Sequence, residues 1–563
     1  MKLLSIGGVA GGATAAARAR RLNEHAEIVI FERGEYISFA NCGLPYYIGG
    51  VIKERDSLLV TTVKDFMQRY DIDIRVFTEV TAIDRANKKV EVKNLQTGEL
   101  YYEPYDKIIL SPGAEPFKPP IEGIDLDNIF NLRNIPDSDK IKQCVDEKKS
   151  ESAVVVGGGF IGLEMAENLA MRGIKTTIVE KLDQVMPSLD FEMASFMSAH
   201  LKEKGVTCIL GDGISSFSES NGHLAVHTEN GKHIECDMVI LSIGVKPENR
   251  LAIDAGLEIG NRGGIKVSAT MQTSDADIYA VGDAVEVMDY VSGNITMTPL
   301  AGPANKQGRI AAENVMGRRT IFRGTLGTSV VKLFDLTVAS TGSNERSLIA
   351  NKISFLSSYT HSGSHASYYP GAEMMAIKLL FSPGSGKILG AQIIGQQGVD
   401  KRIDVIATAI YGSMTVYNLE ELELAYAPPY SSAKDPVNIA GFVAANILKG
   451  DVKNINWNEM IDIDLETNIL IDLRNPDELK EAGKINGALH IPLPQLRKRL
   501  GELDPGKNYI LFCAIGLRGY VGYRIMSQRG LKAKNLNGGY KTFLGAKEKI
   551  MAESSNTPLW RAE

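Results

Sequence analysis

The sequence predicts an α/β protein with two Rossmann-like dinucleotide-binding domains, an α+β domain and a C-terminal α/β domain. Segments 2–22 and 151–173 share one pattern, in which a short apolar run leads into a glycine cluster and an alanine-rich helix. A second pattern recurs in DKIILSPGAEP from Asp106 and in DMVILSIGVKP from Asp237. Repetition of this kind indicates two copies of one fold. The chain has 563 residues, enough for three or four domains.

The order of these patterns predicts how the domains are arranged. An apolar strand that closes on Gly-Asp at 278–287 indicates that the first copy resumes after the second ends. Beyond residue 325, alternating strands such as MAIKLLF precede helices without a glycine loop, which is typical of an α+β domain. A polar stretch then predicts a flexible linker. The expected domains are 1–112 with 252–324, 113–251, 325–448, a linker at 449–456, and 457–555.

Composition limits the function. Lys and Arg number 62 against 68 Asp and Glu, so the net charge of −6 gives no basic surface for nucleic acid. The N-terminus reaches glycine too early for a signal peptide, and no apolar run is long enough to span a membrane. Five scattered cysteines do not form a secreted disulfide framework. A cytoplasmic protein without a membrane or nucleic-acid partner is expected.

The first glycine cluster predicts a phosphate-binding turn. Gly7, Gly8, Gly11 and Gly12 lie between a strand and a helix, where backbone N–H groups can approach phosphates. Glu32 ends the next strand about 20 residues later, the place of the acid that binds ribose hydroxyls. Arg33 and Asp283 complete the expected cofactor contacts. Close helix packing is the alternative explanation of the glycines, and a helix cap that of Asp283.

The second glycine cluster is a full match to the dinucleotide motif. Gly157, Gly159 and Gly162 open a helix, and Glu180 ends the following strand. An acid at this position accepts bonds from a ribose 2′-hydroxyl and repels a 2′-phosphate, so we expect NADH to be preferred. Lys181 beside it leaves NADPH possible. Two dinucleotide sites predict a flavin that receives hydride from a nicotinamide.

Cys42, in SFANCGLPY, is the candidate redox residue. It precedes a short predicted helix, and a thiol at a helix N-terminus ionises more readily. The next cysteine is Cys144, so Cys42 has no partner nearby and would form a disulfide or persulfide with the substrate itself. A buried structural cysteine is the alternative. Cys144, Cys208 and Cys236 are interpreted as structural.

Residues 2–449 resemble the flavin-dependent pyridine nucleotide-disulfide oxidoreductases, and within them the coenzyme A-disulfide reductases. The motifs are GGVAGGATAAARARRL, SFANCGLPY and ELAYAPPYSSAKDP. The resemblance implies FAD at the first glycine loop, a nicotinamide cofactor at the second, and Cys42 as nucleophile. It also implies a homodimer, with 325–448 as the dimerisation domain, in which Tyr368 and Tyr426 reach the partner's active site.

The same resemblance implies the coenzyme A contacts. These are Thr14, Arg18, Arg21, Ser38, Asn41 and Lys434. Arginine suits phosphates because its planar guanidinium is always charged. Without the resemblance, these arginines are interpreted as a solvated helix face. Tyr70 stands where some relatives carry a lysine that helps to bind coenzyme A, a departure from the pattern.

The C-terminal domain resembles a rhodanese sulfurtransferase. Cys513 ends an apolar strand and opens a short loop that closes at Arg518 before a helix. Such a loop directs N–H groups inward and can stabilise a thiolate or persulfide. ILIDLRNPDEL, INGALHIPL and NGGY support the resemblance, and a buried strand-end cysteine is the alternative. Ala514 departs from rhodaneses with a basic or polar residue there, so thiosulfate is expected to be a poor donor.

The sequence therefore predicts an FAD enzyme that uses NADH to reduce coenzyme A disulfide, coenzyme A persulfide or polysulfide, with a rhodanese domain that handles sulfane sulfur. No metal site is predicted. One alternative is an NADH oxidase or peroxidase, but relatives of that kind carry histidine where this chain has Ala10. A redox-sensing scaffold without catalysis is the other alternative. In the main hypothesis, coenzyme A carries sulfur from Cys513 to Cys42 across the flexible linker.

Overall fold

The computed structural model describes residues 1–147, 150–220 and 222–554. They form two compact units, of which the first comprises Met1–Asp183 and Gly205–Gly327. The second comprises Gln184–Lys204 and the described residues from Thr328 onward. Among the described residues, no helix combines the length and apolarity needed to cross a membrane.

The first unit contains a five-stranded parallel sheet whose central strand is the N-terminal KLLSI. In spatial order the strands are Ile278–Ala280, Lys107–Leu110, Lys2–Ile6, Glu27–Phe31 and Asp73–Arg75. Leu3 and Leu4 are fully buried, as expected for a parallel strand covered on both faces. Because Ile278–Ala280 joins this sheet, the first fold resumes after the second.

A second parallel sheet in the same unit repeats this arrangement around the run SAVVV. Its order is Thr207–Ile209, Lys175–Val179, Ser152–Val156, Met238–Leu241 and Ile129–Asn131. The small strands of the unit are Thr78–Asp84, Lys89–Asn94, Leu100–Pro104, Ala114–Pro116, Ile214–Ser220, His223–Thr228, His233–Cys236, Val245–Pro247, Ile265–Lys266, Val285–Met288 and Ile295–Thr296. Its helices are Ala10–Leu22, Leu44–Ile48, Val63–Tyr70, Ile135–Glu147, Phe160–Met171, Arg250–Asp254 and Ala301–Val315. Two Rossmann-like sheets in one unit confirm the predicted fold class.

The second unit begins with an antiparallel sheet. Its order is Ser329–Leu333, Leu336–Gly342, Ile388–Gly395, Met374–Phe381 and Leu356–Gly363. The helices of this part are Phe191–Glu203, Glu345–Ala350, Val399–Tyr411, Val416–Glu421 and Pro436–Leu448. The predicted strands MAIKLLF and ILGAQIIG form its buried centre.

The C-terminal part of the second unit is a parallel α/β sheet. Its order is Asn454–Ile455, Lys532–Leu536, Asn508–Phe512, Asn468–Asp472 and Leu489–His490. The helices around it are Pro476–Ala482, Leu493–Arg499, Leu517–Ser527, Gly539–Gly545 and Lys547–Glu553. Apolar clusters cover both faces. The predicted end of this domain, residue 555, lies outside the described residues.

The stretch 449–456, predicted to be a flexible linker, contains a short strand. Asn454–Ile455 pairs in parallel with Asn535 and Leu536 as an edge strand of the C-terminal sheet. Trp457 directly after it is 8 % exposed and belongs to the apolar core. The polar composition of the stretch did not predict this strand, because the strand is held by a partner strand about 80 residues away.

Segment 184–204, expected within the second dinucleotide domain, lies in the second unit because a buried ion cluster fastens it there. The Lys378 ammonium is completely buried and lies 2.8 Å from Asp190 and from Glu345. It also bonds Glu192, in the first turn of Phe191–Glu203. Burial alone would lower the pKa of Lys378, but the surrounding carboxylates raise it. The positive charge of Lys378 therefore compensates the negative charges of these buried acids.

Candidate active sites

The first glycine loop connects Lys2–Ile6 to Ala10–Leu22. Gly7 has a φ of 100°, which favours glycine. A Cβ at Gly12 would lie only 1.9 Å from the Gly7 carbonyl oxygen, so a side chain there cannot be accommodated. The result is a glycine cradle at a helix N-terminus, and such a cradle fits the phosphates of a dinucleotide.

Glu32 is anchored against this cradle. Its carboxylate accepts hydrogen bonds from the N–H groups of Gly8 and Gly34, each at 2.8 Å. These bonds fix the acid at the strand end, where a ribose would lie. Arg33, expected as a cofactor contact, instead forms a two-pronged ion pair with Glu248, with one N–O distance of 2.7 Å. Arg33 would have to share this carboxylate with a ligand.

The second glycine loop repeats the geometry of the first. It joins Ser152–Val156 to Phe160–Met171, and Gly157 has a φ of 104°. A Cβ at Gly162 would lie 2.0 Å from the Gly157 carbonyl oxygen. The two loops therefore have the same close approach of helix to turn, the arrangement that the sequence repeat predicts.

Glu180 takes the position that Glu32 has in the first loop. It accepts hydrogen bonds from the N–H groups of Gly158 at 2.7 Å and Leu182 at 2.9 Å. Lys181 points to Glu229, with its ammonium 3.0 Å from the carboxylate, and is 72 % exposed. An exposed pair of this kind contributes little, so Lys181 can exchange this partner for another anion.

Cys42 lies in the turn Asn41–Gly43, just before the helix Leu44–Ile48, and its side chain is exposed. The pKa of the thiol is raised, first by the protein packed around it and then by the charges of Glu164 and Asp283. The helix that follows has only five residues, so little dipole is available to offset the effect of burial on the thiol.

The other thiols differ from Cys42. Each of the five cysteines, all within the described part of the chain, is free. Burial raises the pKa of Cys208 to about 11 and that of Cys236 to about 12, with the Asp237 charge adding to the latter. What separates them from Cys42 is access, because Cys236 is buried and Cys208 is only partly exposed. Cys42 is thus the exposed thiol in a unit that also holds both glycine loops.

Glu164 is a member of this site that sequence reasoning missed. It lies on Phe160–Met171, and its Oε1 is 3.4 Å from the hydroxyl of Tyr46, one helical turn beyond Cys42. Burial raises the pKa of Glu164 to about 7, with a further contribution from Glu167. The only hint in the sequence was a lone acid within the otherwise apolar FIGLEMA, and it did not identify a partner.

Replacing Glu164 with glutamine should make Cys42 more reactive. The Glu164 charge raises the pKa of the Cys42 thiol, so its removal lowers that pKa and increases the thiolate fraction at neutral pH. Alkylation of Cys42 by iodoacetamide at pH 8, where Glu164 is ionised, should accelerate several-fold. Asp283→Asn should act in the same direction. Equal alkylation rates in Glu164→Gln, in Glu167→Gln and in the unmodified protein would contradict this electrostatic link.

Two expected substrate contacts on Ala10–Leu22 already have protein partners. The Thr14 hydroxyl donates to Asn305 at 2.5 Å. Arg18 bonds Glu313, with Nε 3.0 Å from the carboxylate, and both side chains are at most 15 % exposed. Arg18 could bind a phosphate only by sharing or leaving this carboxylate.

Arg21 and Asn41 are exposed. The guanidinium of Arg21 lies over the Tyr70 ring, 5.9 Å from its centre, so the tyrosine that departs from the family pattern contacts an expected coenzyme A residue. Arg20 is buried and donates to the main-chain oxygens of Tyr70 and Asp71, a structural role. Ser38 has a φ of 46° beside Asn41.

In the second unit, the structure brings together the expected tyrosine pair. The hydroxyls of Tyr368 and Tyr426 are 2.5 Å apart, and the side chains are 73 % and 47 % exposed. Lys434 is exposed next to Asp435, which forms a buried ion pair with Arg402 at 2.9 Å. The two phenols therefore contact each other and are open to solvent.

The loop after Asn508–Phe512 encloses the Cys513 sulfur. The sulfur accepts a hydrogen bond from the Gly516 N–H at 3.2 Å, and the residue is 1 % exposed. Arg518 closes the loop and forms a two-pronged pair with Glu478, at 2.6 and 2.5 Å. The Arg518 bonds lower the pKa of Glu478 to about 2. An N–H directed at the sulfur is the feature that stabilises an anion there.

Three family models match the chain in order. Residues 1–307 match the pyridine nucleotide-disulphide oxidoreductase model, and 328–436 match its dimerisation domain. Residues 456–546 match the rhodanese-like domain. Among curated proteins, coenzyme A disulfide reductase of Staphylococcus haemolyticus is 37 % identical over 79 % of this chain and 100 % of its own length. An NADH oxidase of Methanocaldococcus jannaschii is 36 % identical over 78 % and 98 %.

Solved structures match the whole architecture. Reduced CoADR-RHD of Bacillus anthracis has a TM-score of 0.94 and 51 % identity, with 98 % of each chain covered. An NAD-dependent persulfide reductase from A. fulgidus has a TM-score of 0.91 and 38 % identity, covering 96 % of this chain and 100 % of its own.

Two glutamate-anchored glycine loops beside one exposed thiol define a flavin-dependent pyridine nucleotide oxidoreductase. The chain belongs to the pyridine nucleotide-disulphide oxidoreductase family, which uses FAD and NAD(P)H, and it carries a C-terminal rhodanese-like domain. The resemblance found in the sequence is confirmed.

Proposed function

We propose that this chain is an FAD enzyme that uses NADH to reduce coenzyme A disulfide, coenzyme A persulfide or polysulfide through Cys42. One observation carries the proposal: an exposed free thiol lies in the same unit as two glutamate-anchored glycine loops. The relatives named coenzyme A disulfide reductase and persulfide reductase support the substrate class.

The residues present fit both dinucleotides. FAD would be held by Gly7, Gly8, Gly11 and Gly12, with Glu32 on its ribose and Arg33 and Asp283 as further contacts. The nicotinamide cofactor would be held by Gly157, Gly159 and Gly162, with Glu180 on its ribose. The bound flavin takes hydride from the nicotinamide and supplies an electron pair to sulfur.

Cys42 performs the substrate chemistry. Its thiolate attacks one sulfur of coenzyme A disulfide, forms a mixed disulfide and releases one coenzyme A thiolate. Two electrons from NADH then cleave that bond, which restores the Cys42 thiolate and releases the second coenzyme A. NADH, one proton and one disulfide thus give NAD⁺ and two thiols. With coenzyme A persulfide, the same step releases coenzyme A and sulfide.

Other residues would position the substrate. In a homodimer, the Tyr368 and Tyr426 hydroxyls would act at the partner's site, where a phenol can give a proton to a departing thiolate. Thr14, Arg18, Arg21, Ser38, Asn41 and Lys434 would contact coenzyme A. Cys513, with Arg518, would collect sulfane sulfur as a persulfide. The free thiols fit a cytoplasmic enzyme.

An anaerobic assay of NADH oxidation tests the proposal. Coenzyme A disulfide and coenzyme A persulfide should each support steady turnover, and comparison of kcat/KM decides which is preferred. Steady NADH oxidation only when oxygen is admitted would identify an NADH oxidase, the activity named for a 36 % identical relative. No turnover with any acceptor would support a redox-sensing scaffold.

Glu180→Ala should reduce discrimination between NADH and NADPH. The substitution removes the acceptor for the ribose hydroxyls and the bond to the Gly158 N–H, so the kcat/KM ratio should fall about tenfold, the value of one charge-assisted hydrogen bond. Lys181→Ala is the control and should lower only NADPH use. A strong preference for NADPH in the unmodified protein would show that Glu180 has been misassigned.

A further inference from the structure

The turn that follows Lys532–Leu536 packs directly against the Cys513 loop. In the first turn of the helix Gly539–Gly545, the N–H groups of Tyr540 and Lys541 donate to the main-chain oxygens of Cys513 at 2.8 Å and Ala514 at 2.9 Å, respectively. A Cβ at Gly539 would lie 2.6 Å from the Cys513 oxygen. Loop and helix are therefore in direct main-chain contact, and a shift of one moves the other.

The same turn is fastened to the dimerisation domain. Asn537 donates to the Ser357 oxygen at 2.9 Å and accepts from the Tyr359 N–H at 3.3 Å. His361 bonds the Thr542 hydroxyl at 3.0 Å. These contacts lie within the second unit and are almost fully buried: Asn537 is 2 % exposed.

His361 and Thr542 connect the dimerisation domain to the turn. Burial lowers the pKa of His361 to about 3, with Lys541 as a further cause, so the ring is neutral. The Thr542 hydroxyl lies 3.0 Å from His361 Nε2 and 3.2 Å from the Gly538 oxygen, so it connects the ring to the main chain of the turn. A relay thus runs from His361 through Thr542 to the turn beside Cys513.

The strand that carries His361 is itself held firmly. Tyr359, two residues earlier on Leu356–Gly363, donates its hydroxyl to Glu192 at 2.8 Å, and Glu192 also bonds the buried Lys378. A buried ion cluster resists displacement, because separating its charges would leave buried charges without partners. The relay therefore rests on the dimerisation domain and on the helix Phe191–Glu203.

We propose that the dimerisation domain completes the sulfurtransferase site: His361, through Thr542, is a positioning residue for the Cys513 loop. The inference rests on the proposed role of Cys513. Formation of a persulfide on Cys513 then depends on a residue outside the rhodanese-like domain. No family motif of that domain includes this residue, because it lies about 150 positions earlier in the chain.

The test uses four full-length variants. His361→Phe and Thr542→Val each remove one hydrogen bond of the relay at similar volume, and His361→Gln keeps an N–H donor. Tyr509→Phe is the control, because Tyr509 makes a comparable hydrogen bond, to the Asp504 oxygen at 2.9 Å, inside the rhodanese-like domain. Two readouts are taken: persulfide on Cys513 from a polysulfide donor, and alkylation of Cys513 by iodoacetamide, both followed by peptide mass spectrometry.

The expected result is a loss of about tenfold in Cys513 persulfide formation in His361→Phe and Thr542→Val, the effect of one hydrogen bond, with Cys513 alkylation also changed. His361→Gln should recover most of the rate, Tyr509→Phe should keep it, and reduction of coenzyme A disulfide should be unchanged throughout. Unmodified rates of loading and alkylation in both relay variants would overturn the inference. So would equal losses in Tyr509→Phe. Absence of persulfide in the unmodified protein would instead refute the role of Cys513, and alkylation would still test the relay.

Discussion

Cys42→Ser is expected to abolish NADH-dependent reduction of coenzyme A disulfide and of coenzyme A persulfide alike. Serine cannot form the mixed disulfide through which both reactions pass, so kcat should fall by about a thousandfold or more. The glutamate bonds of the two glycine loops do not involve Cys42, so FAD should stay bound and NADH should still bleach its absorbance.

Cys208→Ser is the matched control for this loss. Cys208 lies in the same unit but is partly buried, and its pKa is raised to about 11, so its removal should leave turnover intact. Retained turnover in Cys42→Ser would mean that another group is the nucleophile. Loss of FAD from that variant would mean that the turn has a structural role instead.

Cys513→Ser is expected to separate the two halves of the reaction. Reduction of coenzyme A disulfide needs only Cys42 and should keep its rate. Sulfide release from a bulky or polymeric sulfur donor should slow at least about tenfold, because the serine hydroxyl cannot carry sulfane sulfur. The measurement is NADH oxidation with each substrate, together with sulfide release.

Two outcomes would contradict this division. Equal loss of both activities would assign Cys513 a structural role in the apolar core where it is buried. Loss of neither would leave the rhodanese-like domain without a catalytic part in the reaction.

The sequence predicted those parts of the site that depend on short segments. A glycine loop and the acid at the next strand end lie within about 25 residues, and their steric demands leave few alternatives to Gly7 and Gly157. The Cys513 loop is local in the same way. The Tyr368–Tyr426 contact joins residues 58 apart and was available only through the family resemblance.

Features set by distant partners could not be predicted. Glu164 acts on Cys42 across more than 100 residues, and neither neighbourhood contains a motif for that contact. The helix Phe191–Glu203 follows the second Rossmann-like pattern in sequence, yet Lys378, nearly 190 residues later, draws it into the other unit. Composition likewise gave no sign that Asn454–Ile455 is a strand.

Mass spectrometry of the protein incubated with coenzyme A disulfide in the absence of NADH tests the central claim most directly. One coenzyme A should become attached, the peptide that carries it should contain Cys42, and addition of NADH should release it. An adduct on Cys144, Cys208 or Cys236, or turnover without an adduct on Cys42, would contradict the account.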